Sequence, residues 1–202
     1  MGNKDKVYKD YEKIADWFDS IRMRDLRFEK KYLDMVIAHT KPAGKILDIG
    51  CGMGEPVAKY FVDHNFHVTG IDGSHKMIEK AQNYVPKAAF YVKDMRELNL
   101  PEKFDALILW HSLFHLSPND QKMMFTRFEN HLYPGGILLF TSGHEGGEIW
   151  SDNGGENLYH ASLSPPEYRE LLTRHHFEII YHTIEDKDCG DTTIWLAKYG
   201  ML

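Results

Sequence analysis

The segment LDIGCGMGEP at residues 47–56 continues an apolar run, KIL, and sets glycines at positions 50, 52 and 54. A strand followed by such a turn and then by a helix lets a ligand approach the main chain closely, because glycine has no side chain to obstruct it. The following pattern constrains the fold further. Short apolar runs at 45–49, 67–71, 88–92, 104–109 and 137–141 alternate with helical patterns near 55–64, 74–85 and 118–132. Repeated strand, helix, strand units predict an α/β fold with a parallel sheet covered by helices on both faces.

The two ends of the chain depart from this rhythm. Val7, Tyr8, Tyr11, Ile14, Ala15 and Phe18 recur at helical spacing, and a second helical pattern covers about 25–39 before KPAG stops it. Residues 1–40 are therefore expected to form an N-terminal helical cap. Near the other end, SPPE at 164–167 opens a helix with a capping-box pattern. FEIIYHTI and TTIWLAKY then flank EDKDCGD, a connection too short for a crossover, so these strands should pair as an antiparallel hairpin. Residues 142–163 hold five glycines and no sustained period, and are expected to be a long loop over the active site. One domain over 1–202 is expected.

Composition narrows the partners. With 24 Lys plus Arg against 30 Asp plus Glu, the net charge of −6 and the lack of a basic stretch argue against nucleic acid. No apolar run approaches a membrane span, and the charged N-terminus is not a secretory signal. The opening Met-Gly lacks Ser or Thr at position 6, which argues against myristoylation. Cys51 and Cys189 are read as reduced, in a cytoplasmic protein.

The loop chemistry speaks against a dinucleotide. Glu55 follows Gly54, so the spacing is G-x-G-x-G rather than G-x-G-x-x-G, and Glu55 would oppose a pyrophosphate. Asp48 precedes the glycines, where a buried carboxylate needs a cationic or hydrogen-bonding partner; a ligand amino group supplies one. Asp72 ends the second strand and can accept both ribose hydroxyls. Asp94 ends the third and can accept from an adenine amino group.

These elements, ILDIGCGMG, TGIDGS, KDM, FDALILWHSLFHL and YPGGILLF, resemble the class I S-adenosylmethionine-dependent methyltransferases, small-molecule branch, over nearly the whole chain. The resemblance implies a Rossmann-like, seven-stranded, mostly parallel sheet with a C-terminal antiparallel hairpin. It implies methyl transfer from S-adenosylmethionine to a small-molecule acceptor by in-line displacement, with S-adenosylhomocysteine released. Asp48, Gly50, Cys51, Gly52 and Gly54 would then hold the methionine part, Asp72 and Gly73 the ribose, and Asp94 and Met95 the adenine. Met77 would pack on the adenine and Trp110 would close over the cofactor. His115, His144 and Tyr11 are the candidate catalytic groups, His115 and His144 by family position near the methyl-donor mouth; His111, His160 and Tyr8 are further candidates. WHSL stands where amino methyltransferases carry [DN]-P-P-[YF], and no metal-ligand spacing is present, so no metal is expected. The acceptor is read as aromatic or heterocyclic, and the protein as a monomer or homodimer. An NAD(P)-dependent oxidoreductase and a non-catalytic cofactor-binding sensor are the competing readings.

Overall fold

The computed structural model describes residues 4–200; the remaining termini of the expected domain, including Gly2 of the Met-Gly start, lie outside the described residues. The chain begins with helices α1 (Val7–Ile21) and α2 (Lys30–His39). Five strands follow in parallel: β1 (Lys45–Ile49), β2 (His67–Asp72), β3 (Ala89–Val92), β4 (Phe104–Leu109) and β5 (Leu132–Ser142). Helices α3 (Val57–Asp63), α4 (His75–Tyr84) and α5 (Pro118–His131) connect them. Ser117 accepts from the Asp120 amide at 3.2 Å and Pro118 occupies the first turn of α5, which is why that helix starts where its sequence predicts.

After β5 come β6 (Gly147–Asn153), β7 (Glu156–Ser162), helix α6 (Pro165–Arg174), β8 (Phe177–Asp186) and β9 (Thr192–Tyr199). The main sheet has seven strands in the order β3-β2-β1-β4-β5-β9-β8. Strand β9 runs antiparallel to both β5 and β8, as the short EDKDCGD connection requires.

Strand alternation distributes the core to two faces. Ile46, Ile108, Leu139 and Leu196 pack with Leu33 and Val36 of α2 and Ala58 and Phe61 of α3. Leu47, Leu107, Leu138 and Trp195 pack on the opposite side with Phe125 and Phe128 of α5 and Leu172 of α6. Each such buried side chain contributes roughly 1.5–3 kcal/mol relative to exposure, so these two layers hold the fold together.

Two expectations change. The first is the loop over 142–163, most of which is an antiparallel hairpin, β6 with β7, forming a small sheet of its own. Leu158, Tyr159 and Ala161 of β7 pack against Val7 and Ile14 of α1 in a separate apolar cluster. The second is the start of the second helix, which is at Lys30 rather than near residue 25. Residues 22–29 instead carry ion pairs, including Arg22 to Glu29 at 3.0 Å and Arg24 to Glu55 at 2.8 Å.

Candidate functional site

The strand order reverses at β1, which lies between β2 and β4, and in open α/β sheets that switch point opens a crevice beyond the carboxyl ends of the strands. A cavity of about 400 Å³ lies there, walled by the glycine loop, the ends of β2, β3 and β4, α1, and His160 of β7. Of the sequence-predicted residues, Asp48, Gly50, Cys51, Gly52, Asp72, Gly73, Met77, Asp94, Met95, Trp110, Tyr11 and His115 all line it. Gly54 and His144 do not.

The three loop glycines all have positive φ, 74°, 53° and 79° at Gly50, Gly52 and Gly54, but they serve different ends. A β-carbon on Gly50 would come within 2.4 Å of Ser112, and one on Gly54 within 3.0 Å of Phe90. These two glycines permit protein packing. A β-carbon on Gly52 would meet nothing within 4 Å, so only this glycine fronts open space, where the sequence expectation gave all three that role. The loop is pinned by the Gly50 and Cys51 amides, which donate to the Ile71 carbonyl at 2.8 and 3.0 Å.

The acidic residues occupy unlike environments. Asp48 is 2% exposed, and its Oδ2 has no hydrogen-bond partner among the described residues. Burial, reinforced by the nearby Asp72 charge, pushes its carboxyl up to about 7. Trp110, 6% exposed, leaves its indole N–H equally unpartnered. Unmatched polar atoms at this depth are costly in a finished protein interior, so both fit a site that a polar ligand completes. Asp72 accepts from the Gly52 amide at 3.0 Å and the Ser74 amide at 2.8 Å. Burial raises it to about 6 in spite of those two bonds.

Asp94 is engaged differently. Its Oδ1 accepts from the Arg96 amide at 2.9 Å and from Arg96 Nε at 3.0 Å, while Oδ2 receives Arg96 Nη2 at 2.5 Å. Burial would raise its carboxyl, but these bonds outweigh it and hold Asp94 below the usual carboxylate range. Met77 is buried beside Met53 and Ala15, and the Tyr8 ring covers Gly73, where a β-carbon would come within 2.5 Å of it.

Opposite the glycine loop, Nδ1 of His115 lies 2.9 Å from the Tyr159 carbonyl. A carbonyl only accepts, so Nδ1 carries the proton and the neutral ring leaves Nε2 bare. Nε2 therefore accepts the Tyr11 hydroxyl at 3.0 Å. Burial, with His160 beside it, lowers His115 to about 3, so the ring is neutral at physiological pH. Burial, with Asp72 nearby, raises the Tyr11 hydroxyl well above its ordinary range. His144 is elsewhere: its half-exposed ring faces Glu145 at 3.6 Å and Glu185 at 3.8 Å. Gly143 donates to the Ser162 hydroxyl at 3.1 Å, and His144 beside it is not among the residues that line the cavity.

The cavity also gathers Arg22, Met53, Ser112 and Phe114, none of which the sequence singled out. Ser112 donates to the Ile49 carbonyl at 2.6 Å, tying the end of β4 to the end of β1. Its position right after a strand at the switch point was the available signal; Arg22 offered none.

Among known proteins, residues 46–136 match the family described as Methyltransferase domain. A dTDP-3-amino-3,4,6-trideoxy-alpha-D-glucopyranose N,N-dimethyltransferase of Streptomyces venezuelae is 28% identical over 133 residues, 64% of this chain and 56% of that protein. Phosphoethanolamine N-methyltransferase 3 of Arabidopsis thaliana is 33% identical over 57% of this chain and 24% of its own length. The chain spans about half the length of the first curated relatives it matches, 56% and 53%. Among solved structures, the Burkholderia thailandensis 1,6-didemethyltoxoflavin-N1-methyltransferase, with bound 1,6-didemethyltoxoflavin and S-adenosylhomocysteine, superposes with a TM-score of 0.75. It is 18% identical, covering 100% of this chain and 92% of that one.

Proposed function

We propose that the chain is a class I S-adenosylmethionine-dependent methyltransferase that methylates a small molecule with that cofactor, a reading supported by the methyltransferase-domain match over residues 46–136 and by the fold. The observation carrying this is the pairing of an unpartnered, buried Asp48 Oδ2 with a glycine loop open only at Gly52, at the switch point of the sheet. When bound, S-adenosylmethionine supplies an electrophilic methyl on a sulfonium.

The residues divide the work as follows. Asp48, ionised on meeting a cation, takes the amino group of the methionine part beside Gly50, Cys51 and Gly52. Asp72, which keeps acceptor capacity beyond its two amide bonds, takes the ribose next to Gly73. Met77 and Met95 flank the adenine, Asp94 with Arg96 borders it, and Trp110 lines the site with an N–H that has no partner among the described residues. Tyr11 faces the acceptor with its hydroxyl fixed by His115, so that His115 acts through Tyr11. In-line displacement depends chiefly on alignment, and orientation of this kind supplies roughly 7–11 kcal/mol of a barrier. His144 has no part in this arrangement.

The acceptor half is walled by Tyr11, Phe114, His115 and His160, which supports an aromatic or heterocyclic acceptor. The net charge of −6 supports a small molecule rather than a nucleic acid. No helix among the described residues is long and apolar enough to cross a membrane. We place the protein in the cytoplasm, as one domain in which α1, α2 and the β6–β7 hairpin cap the site.

Incubation with methyl-labelled S-adenosylmethionine and fractionated metabolites tests this, alongside a thermal-shift titration with S-adenosylhomocysteine. Stabilisation by S-adenosylhomocysteine and a labelled small-molecule product are expected. No stabilisation at millimolar ligand would refute the cofactor assignment.

A further inference from the structure

Three histidine rings reach the cavity, and they differ in what their nitrogens are free to do. Both nitrogens of His115 are taken, by the Tyr159 carbonyl and by the Tyr11 hydroxyl. Nδ1 of His160 meets the Ser151 hydroxyl at 3.3 Å. His111 is unlike either. Its backbone N–H donates to Thr141 Oγ1 at 2.9 Å, but neither ring nitrogen has a hydrogen-bond partner among the described residues.

Its backbone is also unusual. His111 has φ of 53°, in the left-handed region that residues with a β-carbon disfavour. Glycine would hold this turn with less strain, and asparagine tolerates it better than most residues. The turn is fixed by Thr141, which is fully buried, and the result is a ring set between Trp110 at 5.2 Å and Phe114 at 5.9 Å. Strain of this kind persists where the surroundings over-determine it, and it gathers at functional sites.

The position of the ring is informative as well. Trp110 lines the cavity just past β4, whose Ile108 pairs with Asp48 of β1, while Phe114 continues to His115 at 4.8 Å and His160 at 5.4 Å. His111 thus stands where the cofactor half of the cavity meets the acceptor half. Burial, with Arg22 nearby, lowers the ring to about 4, so it stays neutral and keeps one N–H donor and one bare nitrogen.

We infer that His111 hydrogen-bonds the methyl acceptor, and that the acceptor is a planar ring compound whose nucleophilic N–H or O–H lies at the ring edge. The inference rests on the methyltransferase reading and adds to it the residue that aims the nucleophile. Tyr11 holds the acceptor from the cap; His111 holds it from the sheet.

The test uses the full chain saturated with S-adenosylhomocysteine and titrated with 2-aminopyridine, a planar ring with an edge N–H₂. Imidazole nitrogen resonances are followed by NMR. The His111 ring signals should move on titration while those of the surface His39 stay. His111→Gly should be at least as thermally stable as the parent and bind S-adenosylhomocysteine within twofold, yet bind 2-aminopyridine about tenfold more weakly, the scale of one hydrogen bond. His111→Asn should recover part of that loss. Equal binding of 2-aminopyridine to the glycine variant, or no response at His111 in the parent, overturns the inference while S-adenosylhomocysteine binding leaves the methyltransferase reading intact. Failure of S-adenosylhomocysteine to bind the parent brings down both.

Discussion

The Tyr11 hydroxyl donates to Nε2 of His115 across 3.0 Å, joining the first helix to the turn after β4. The tautomer is set from the far side of the ring, where Nδ1–H meets the Tyr159 carbonyl on the hairpin. One contact chain thus joins α1, the turn after β4 and β7, and Tyr11 and His115 in it line the cavity.

Removing that hydroxyl should separate chemistry from cofactor binding. In Tyr11→Phe the ring still fills its place, but the acceptor loses an oriented hydroxyl and His115 Nε2 loses its donor. Steady-state kinetics with the acceptor found by label transfer should show kcat lower by about ten- to a hundredfold, with S-adenosylhomocysteine affinity within twofold. Thermal unfolding should register a loss of about 1–3 kcal/mol for the orphaned nitrogen.

The loop glycines should respond in opposite ways. Gly50→Ala drives a β-carbon into Ser112 at 2.4 Å on a backbone with φ of 74°, so its cost should appear as stability, about 2 kcal/mol or more by denaturant unfolding. Gly52→Ala has free space and only the left-handed backbone to bear, so it should lose about 1 kcal/mol. Its larger effect should be on S-adenosylhomocysteine affinity by calorimetry, lower by about tenfold or more, because the methyl occupies the ligand's approach. Gly52→Ala with unchanged affinity would show that the cofactor does not lie against the loop.

Much of this was legible in the sequence, for reasons that particular residues make plain. The central strands β1 and β4 are buried on both faces, so Ala106–Leu109 reads as an unbroken apolar run and Ile46–Ile49 as one interrupted only by Asp48. The Ser117 and Ser164 starts of α5 and α6 follow local capping chemistry, which needs no tertiary information. Strand β6 is different: most of it is exposed, and it is its partner β7 that packs on α1, some 140 residues earlier in the chain. GEIWSDN therefore carries no apolar period to read. The His115 pairings were equally hidden, since one partner is a main-chain carbonyl, and every residue has one of those. Gly54 misled because positive φ looks the same in sequence whether the missing side chain makes room for a ligand or for Phe90.

The hairpin should govern the acceptor and leave the cofactor alone. Of its residues only His160 lines the cavity, and the hairpin meets α1 through Lys13 with Glu156 at 2.9 Å and through Trp17 beside Gly154. Glu156→Ala breaks that exposed pair while Lys13 keeps its bond to Asp10 at 2.9 Å, and it should change little, since such pairs contribute little. His160→Ala should raise KM for the acceptor several-fold with S-adenosylhomocysteine affinity unchanged. Equal changes in both would mean that β7 supports the whole cavity rather than its acceptor end.

Cofactor affinity should depend on pH through Asp48 and Asp72. Burial, with mutual repulsion at Asp48, raises the two carboxyls to about 7 and about 6, against roughly 3.9 for an unperturbed aspartate. Between about pH 4 and pH 7 the folded protein without ligand therefore holds protons that the unfolded chain has already released. The sign follows: the contribution of these groups to stability is present at the acid end of that window and is lost as pH rises through 6 and 7. A cationic ligand reverses the preference, because it favours the ionised carboxylates. S-adenosylhomocysteine, whose amino group is protonated throughout this range, should bind more tightly as pH rises from 5.5 to 7.5, by up to about tenfold per unit where one proton is released. Calorimetry in two buffers of different ionisation enthalpy measures that proton directly. Asp48→Asn removes the main titrating group, so it should flatten the profile and weaken binding at pH 7.5, while leaving the unliganded protein as stable as the parent or more so. A parent affinity independent of pH across this window would mean that Asp48 does not meet the amino group of the cofactor and that Asp72 does not hold its ribose.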